Sequence, residues 1–280
     1  MNLSELSKQI ELGRFERLVS DSLSEMFQNA NEIESRFNQV ITVPINLSEE
    51  KGFEILELYY TASWFHIFEI VNVPRNASIF EIGAGDTVYI PKAMNAYSSG
   101  NGGNYVTANL NKELSQRFRE KTEGLNLSIQ IIEDDGANIL NHLSKGSMEV
   151  IAFHHAINDI IQTIIAKIEN IDTINNNWWE IEPQLLSKVM EYHNSGKLKI
   201  ATYDAFVSLI DTCRKLLKPG GYMVFDNCTY AGYEAMGYSS EFHSSYINMA
   251  REWIEEAGLG LEEVELKSYD KMWWMVLRKL

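Results

Sequence analysis

The chain predicts a doubly wound α/β fold: a seven-stranded, mostly parallel sheet ending in an antiparallel hairpin, with N-terminal helices and a helical insertion. Three observations predict it. From residue 77 onward, short apolar runs alternate with helical patterns, as parallel strands covered on both faces by helices do. A glycine turn, Gly83-Ala-Gly85, follows the first of those runs. The last two strand-like runs, Leu261–Leu266 and Met272–Arg278, are joined only by Lys267 to Lys271. That connection is too short for a parallel crossover, so the pair must be antiparallel.

In chain order, residues 3–40 place Leu3, Leu6, Ile10 and Leu12, then Phe15, Leu18, Leu23, Met26 and Phe27, at helical spacing. Thr42-Val-Pro-Ile-Asn46 breaks them. A helix is expected from Ser48, as its N-cap, nearly to Val71. It carries Phe53, Ile55, Leu56, Leu58, Tyr59, Tyr60, Trp64 and Phe65 on more than one face, so both sides should be buried. Residues 1–72 are expected to form a helical cap, and residues 73–280 the sheet domain.

Strands are expected at Ser78–Ile82, Asn104–Ala108, Leu127–Ile132 and Met148–Phe153. Helices at Pro91–Tyr97, Asn111–Phe118 and Ala137–Leu143 separate them. Leu217-Lys-Pro-Gly-Gly-Tyr-Met-Val-Phe225 reads as a helix end, a turn and a fifth strand. Ser244 to Ala257 is the next helix, closed by Gly258. The stretch from His154 to Lys218 exceeds one crossover. A helical insertion at about 160–200, containing Ile160–Met190, is expected to cap the site, and the helix from Tyr203 to Leu217 returns to the sheet.

With 280 residues, 45% of them hydrophobic, the chain can bury a large core. Its formal net charge of -15 repels phosphate backbones, so a small molecule, not a nucleic acid, is the expected partner. Two cysteines, Cys213 and Cys228, make neither a disulfide framework nor a zinc motif, and no metal is expected. Cys213 lies in a helical pattern as a packed thiol. No apolar run is long enough to span a bilayer, and the start lacks a signal-peptide pattern, so a cytoplasmic protein is expected. The oligomeric state is left open.

The chemistry centres on Glu81-Ile-Gly83-Ala-Gly85-Asp-Thr87. Glycines after a strand let backbone approach a ligand, because no Cβ intervenes. Here the sequence resembles the class I methyltransferases, whose first motif runs acid-x-Gly-x-Gly-x-Gly. Glu81, Gly83 and Gly85 match, and Thr87 replaces the last glycine. The likeness extends from about Tyr59 to the C-terminus. It implies a Rossmann-like fold with S-adenosylmethionine as cofactor, held around Glu81, Gly83, Ala84 and Gly85. Where the family has an acid on the ribose hydroxyls, this chain has Asn109, followed by Leu110. An amide accepts and donates there without the charge-assisted pair. Asp134-Asp135-Gly136-Ala137 resembles the motif facing the adenine, with Asp135 accepting from its amino group or, alternatively, Asp134; helix capping is compatible with either.

The fourth strand ends in His154-His155. The resemblance sets His154 against the cofactor. His155 is the candidate general base, since imidazole titrates near neutral pH, with a structural ring as the alternative. On the preceding helix, Tyr59 is expected at the cofactor carboxylate and Tyr60 and Trp64 toward the substrate; an aromatic core stripe that also includes His66 is the alternative. Asn227 and Tyr230, with Asp226, should lie near the acceptor, and Trp178 and Trp179 should form an aromatic wall.

The implied reaction moves a methyl group to an oxygen or nitrogen of a small molecule, which mainly requires in-line alignment and exclusion of water. Two other readings stand beside it. An NAD-dependent oxidoreductase would need its third fingerprint glycine at Val88. A catalytically silent binding or scaffold protein of the same fold would be consistent with Thr87 and Asn109.

Overall fold

Strand alternation decides which helices lie on which side of the sheet. The computed structural model describes residues 1–280. Four helices come first: α1 (Leu3–Glu11), α2 (Asp21–Ser24), α3 (Ala30–Val40) and α4 (Gly52–Ile70). Then follow β1 (Ser78–Ile82), α5 (Tyr89–Ser98), β2 (Asn104–Ala108), α6 (Lys112–Thr122), β3 (Ser128–Ile132) and β4 (Met148–His154). Helices α7 (Ala156–Glu169), α8 (Trp178–Asn194) and α9 (Leu198–Leu216) lead to β5 (Leu217–Asp226). The chain ends with α10 (Ala231–Ala235), α11 (Ser240–Ser244), α12 (Tyr246–Ala257), β6 (Leu261–Glu263) and β7 (Trp274–Lys279).

The seven strands lie in the order β3-β2-β1-β4-β5-β7-β6. Strands β1 to β5 are parallel, and β7 runs antiparallel to both β5 and β6. The expected fold, including the terminal hairpin, is the observed one. The order reverses between β1 and β4, and a ligand crevice lies outside the carboxyl ends of strands at such a switch point. Paired ends there are Ile82 with Ala108 and His154 with Asp226.

Ile79, Val150, Ala152, Val224 and Val276 face α4, α5 and the N-terminal helices. Phe80, Ile82, Ile151, Phe153, Met223 and Phe225 face α7, α9 and α12. Phe153 and Phe225 stack across neighbouring strands at 4.3 Å. The first of these cores is continuous from Met1 and Leu6 through Trp64 and Phe68 to Val276. Residues 1–72 thus contribute to the same core as that face of the sheet. No helix is long and apolar enough to cross a membrane.

Several local expectations change. Helix α4 starts at Gly52 after Lys51 in the left-handed region (φ 61°), not from an N-cap at Ser48. The Asn46 carboxamide takes the Ser48 amide at 3.1 Å and its hydroxyl at 2.6 Å, closing a turn before the helix. Strand β6 stops at Glu263, with one further ladder bond from the Val264 amide to the Val276 carbonyl at 2.8 Å. Helices α7, α8 and α9 of this stretch all pack apolar residues into the same core, through Ile161, Leu186, Val189 and Phe206 among others. Trp179 is 55% exposed and makes no wall.

Candidate functional site

Gly83 and Gly85 both adopt positive φ, 64° and 58°, a region costly for residues with a Cβ. The Gly83 amide donates to the Ala108 carbonyl at 3.0 Å, which ties the turn to the end of β2. Thr87 closes the turn: its amide and hydroxyl both donate to the Ala84 carbonyl, at 3.0 and 2.8 Å. Asn109 is buried beside it. Its Oδ1 accepts the Gly85 amide at 3.1 Å and its Nδ2 donates to the Gly85 carbonyl at 2.9 Å. In this arrangement the side chain expected at the ribose clamps the turn. Leu110 follows it at the same strand end.

Beyond β3, Asp135 caps a 3-10 turn (Gly136–Asn141) through the Ala137 amide at 2.9 Å and pairs with Lys167 of α7. Asp134 accepts from Asn138 at 2.9 Å and lies 2.8 Å from His142 Nε2. Those bonds, with the Asp135 amide, pull its pKa down to about 2. Both acids expected at the adenine thus order their own loop. Gly136 is buried against Ile82, where an added Cβ would come within 2.6 Å of the Ile82 side chain.

The ends of β4 and β5 carry a buried charged network. Asp226 accepts the Trp64 indole N–H at 2.7 Å and lies 2.8 Å from His154 Nδ1. Trp64 is fully buried and held in that bond, so it orients Asp226 and is screened from a substrate, contrary to its expected role. Burial disfavours the His154 imidazolium, but the Asp226 charge and hydrogen bond, with Glu81, outweigh it and raise the ring's pKa. Burial likewise pushes Glu81 up to about 7, opposed by the His154 charge and by the hydrogen bond from the Tyr105 hydroxyl.

Tyr60 stacks on Tyr89 at 5.7 Å, and both rings meet His154 edge-on, at 4.8 and 5.0 Å. Tyr89 was not anticipated; its place as the first residue of the helix after the glycine turn was the available signal. Tyr59 packs edge-on against Tyr60 at 5.0 Å, and burial raises its pKa to about 12. His66 faces away, its Nδ1 3.0 Å from the Tyr269 hydroxyl.

His155 sits at φ 47°, an unusual conformation for a residue with a side chain. Its amide donates to the Asp226 carbonyl at 3.0 Å. Its Nδ1 lies 3.3 Å from both the Cys228 amide nitrogen and Sγ, and its Nε2 3.4 Å from Asn158 Nδ2. Burial, then the His243 and His154 rings, hold its pKa well below the usual value. The ring is therefore neutral at physiological pH, where titration near pH 7 was expected. Tyr230 meets it edge-on at 5.5 Å, and Asn227 follows Asp226. Cys228, Asn158 and His243 complete this region. Burial pushes the Cys228 thiol up to about 12, so it stays protonated.

No family model matches the chain, and no curated protein matches it in sequence. Among solved structures, a SAM-dependent methyltransferase from Aquifex aeolicus is similar at 8% identity and TM-score 0.45, over 77% of this chain and 87% of that one. TrmN from Thermus thermophilus is similar at 12% identity and TM-score 0.43, over 80% of this chain and 49% of that one. The CurJ carbon methyltransferase is similar at 11% identity and TM-score 0.47, over 99% of this chain and 66% of that one. Likeness at this level concerns the fold and says nothing of the reaction.

Proposed function

We propose that the chain is an S-adenosylmethionine-dependent methyltransferase acting on an oxygen or nitrogen of a small-molecule acceptor. One observation carries the reading: a positive-φ glycine turn after β1 and a strained, neutral His155 after β4 flank the switch point of this sheet. The turn suits the cofactor, because a Cβ at Gly83 would project into open space with no protein atom within 4 Å. The Gly83-Ala84-Gly85 backbone, Leu110 and the loop Asp134–Gly136 would hold the nucleoside. Glu81 and His154 would face its amino acid end. Bound there, S-adenosylmethionine supplies an activated methyl group.

The chain's own residues then have a limited task. Tyr60, Tyr89 and the buried His154–Asp226 pair wall the crevice and exclude water. His155, neutral and next to the acceptor region, would take the proton that an acceptor hydroxyl sheds as it is methylated; a neutral amine needs only alignment. A silent binding protein remains the second reading, supported by the Asn109 amide, whose polar atoms both engage Gly85.

Calorimetry with S-adenosylmethionine and with NADH tests the cofactor. Binding of the former alone is expected, and Gly83→Val, which combines a β-branched side chain with φ 64°, should weaken it at least ~100-fold. Unchanged affinity in that variant removes the proposed site. Release of demethylated cofactor in the presence of acceptor separates the enzyme from the silent protein.

A further inference from the structure

Along α7 and after β5, around His155, lie five buried polar side chains that each carry at least one unpaired atom. Gln162 of α7 is fully buried, and neither of its amide atoms is hydrogen-bonded. Asn158, one turn earlier and also fully buried, has its Oδ1 unpaired, while its Nδ2 donates to Asp159 at 2.8 Å. Their i, i+4 spacing sets both amides on one stripe of the helix. His243 of α11 is fully buried with both ring nitrogens unpaired, its ring 5.2 Å from that of His155. Asn227 donates Nδ2 to the His243 carbonyl at 2.9 Å, which leaves its Oδ1 free, and Thr229 Oγ1 is unpaired too.

Seven of the eight unpaired buried side-chain atoms in the chain fall on these five residues. Isolated orphans are ordinary in folded proteins, and a concentration of them on α7, α11 and the segment after β5, with Asn158 and His243 against His155, calls for an occupant. The chemistry of that occupant can be read from the lining. Three of the free atoms are carboxamide oxygens that need donors, on Asn158, Gln162 and Asn227. Two carboxyls border them: Asp159 at Asn158, and Glu182, which accepts the Tyr233 hydroxyl at 2.9 Å. Burial raises the pKa of both, so each gains from a cation nearby. Ring faces complete the lining, with Tyr233 5.2 Å from His243 and Tyr230 against His155.

We propose that this group is the acceptor subsite and that it takes the ammonium end of a small amine, whose N–H groups meet the oxygens of Asn158, Gln162 and Asn227. Acceptor oxygens, buried acids and aromatic rings together favour a donor-rich cation over a neutral alcohol. The word acceptor rests on the methyltransferase reading; the amine preference does not.

The test uses the full chain, with and without S-adenosylhomocysteine. A series from methylammonium to phenethylammonium is compared by calorimetry with alcohols of the same carbon skeletons. At least one ammonium should bind about tenfold or more tightly than its alcohol. Gln162→Leu should weaken that ammonium about tenfold or more, yet raise the Tm of the free chain, because an unpaired buried amide is gone. Thr229→Val, closer in shape, should act in the same direction more weakly. Equal binding of ammonium and alcohol, or binding of neither, overturns the proposal. So does Gln162→Leu with lowered Tm and unchanged affinity, the mark of a structural water cluster. Ammonium binding without S-adenosylmethionine binding supports the amine site and sinks the methyltransferase reading; the reverse sinks only the amine site.

Discussion

Asn109 and Gly85 read each other's polarity: the Asn109 oxygen takes the Gly85 N–H and its nitrogen gives to the Gly85 carbonyl, 3.1 and 2.9 Å apart. A carboxylate offers only acceptors, so an acid at 109 could keep the first bond and would set oxygen against oxygen in the second. The amide at 109, where the resemblance implies an acid, thus has a structural reason. The amide holds the glycine turn in place from β2.

Asn109→Asp should therefore destabilise the chain by about 1–3 kcal/mol, for one lost hydrogen bond and a buried acceptor left facing another. Chemical denaturation measures it. Affinity for S-adenosylmethionine should drop as well, by about tenfold, because the turn loses its clamp. A rise in affinity would mean that the ribose, and not Gly85, is what residue 109 recognises.

Asp226 gathers the Trp64 indole, the His154 ring and the His155 amide at one buried carboxylate. Asp226→Ala strips the His154 imidazolium of its counter-charge and should lose about 3–5 kcal/mol, as breaking a buried ion pair does. In Asp226→Asn the geometry is kept but the charge is gone. His154 should then titrate at lower pH than in the parent chain, followed through its ring protons by NMR. An unmoved His154 titration would show that Asp226 does not set it.

Much of the fold was legible because it is periodic. The five parallel strands follow from short apolar runs, buried on both faces in β1 and β4, the hairpin from a connection too short for a crossover, and α12 from its 3.6-residue repeat. Ser48 misled because its own amide and hydroxyl both donate to Asn46, in a turn that delays the helix to Gly52. At the site, the backbone positions at strand ends were readable, whereas side-chain partners were not. Asn109 stood where an acid was expected, but its bond to Gly85 spans two elements. Cys228 and His243 meet His155 only through the fold. One signal was there to find: Asn158 and Gln162, four apart, interrupt an otherwise apolar helix on its buried face.

Glu81 and His154 give the chain an unusual pH dependence. The folded-state pKa of Glu81, raised by burial to about 7, exceeds the ordinary glutamate value of about 4.3. Below that ordinary value the carboxyl is protonated in both states and exacts no penalty; between it and pH 7 the folded state binds more protons than the unfolded one. Stability must fall with rising pH across this window, by about 4 kcal/mol from Glu81. His154 acts in the same sense: its stabilising charge is fully present below the unfolded histidine pKa and is lost as pH rises through its raised folded value. Glu81→Gln removes the first contribution, keeps an acceptor for the Tyr105 hydroxyl, and should flatten the profile. Urea denaturation at pH 5 and pH 8 reads the difference. Relative to the parent, the variant should gain stability at pH 8 over its standing at pH 5. Parallel profiles for the two chains would show that Glu81 is ionised in both states and that its burial carries no titration.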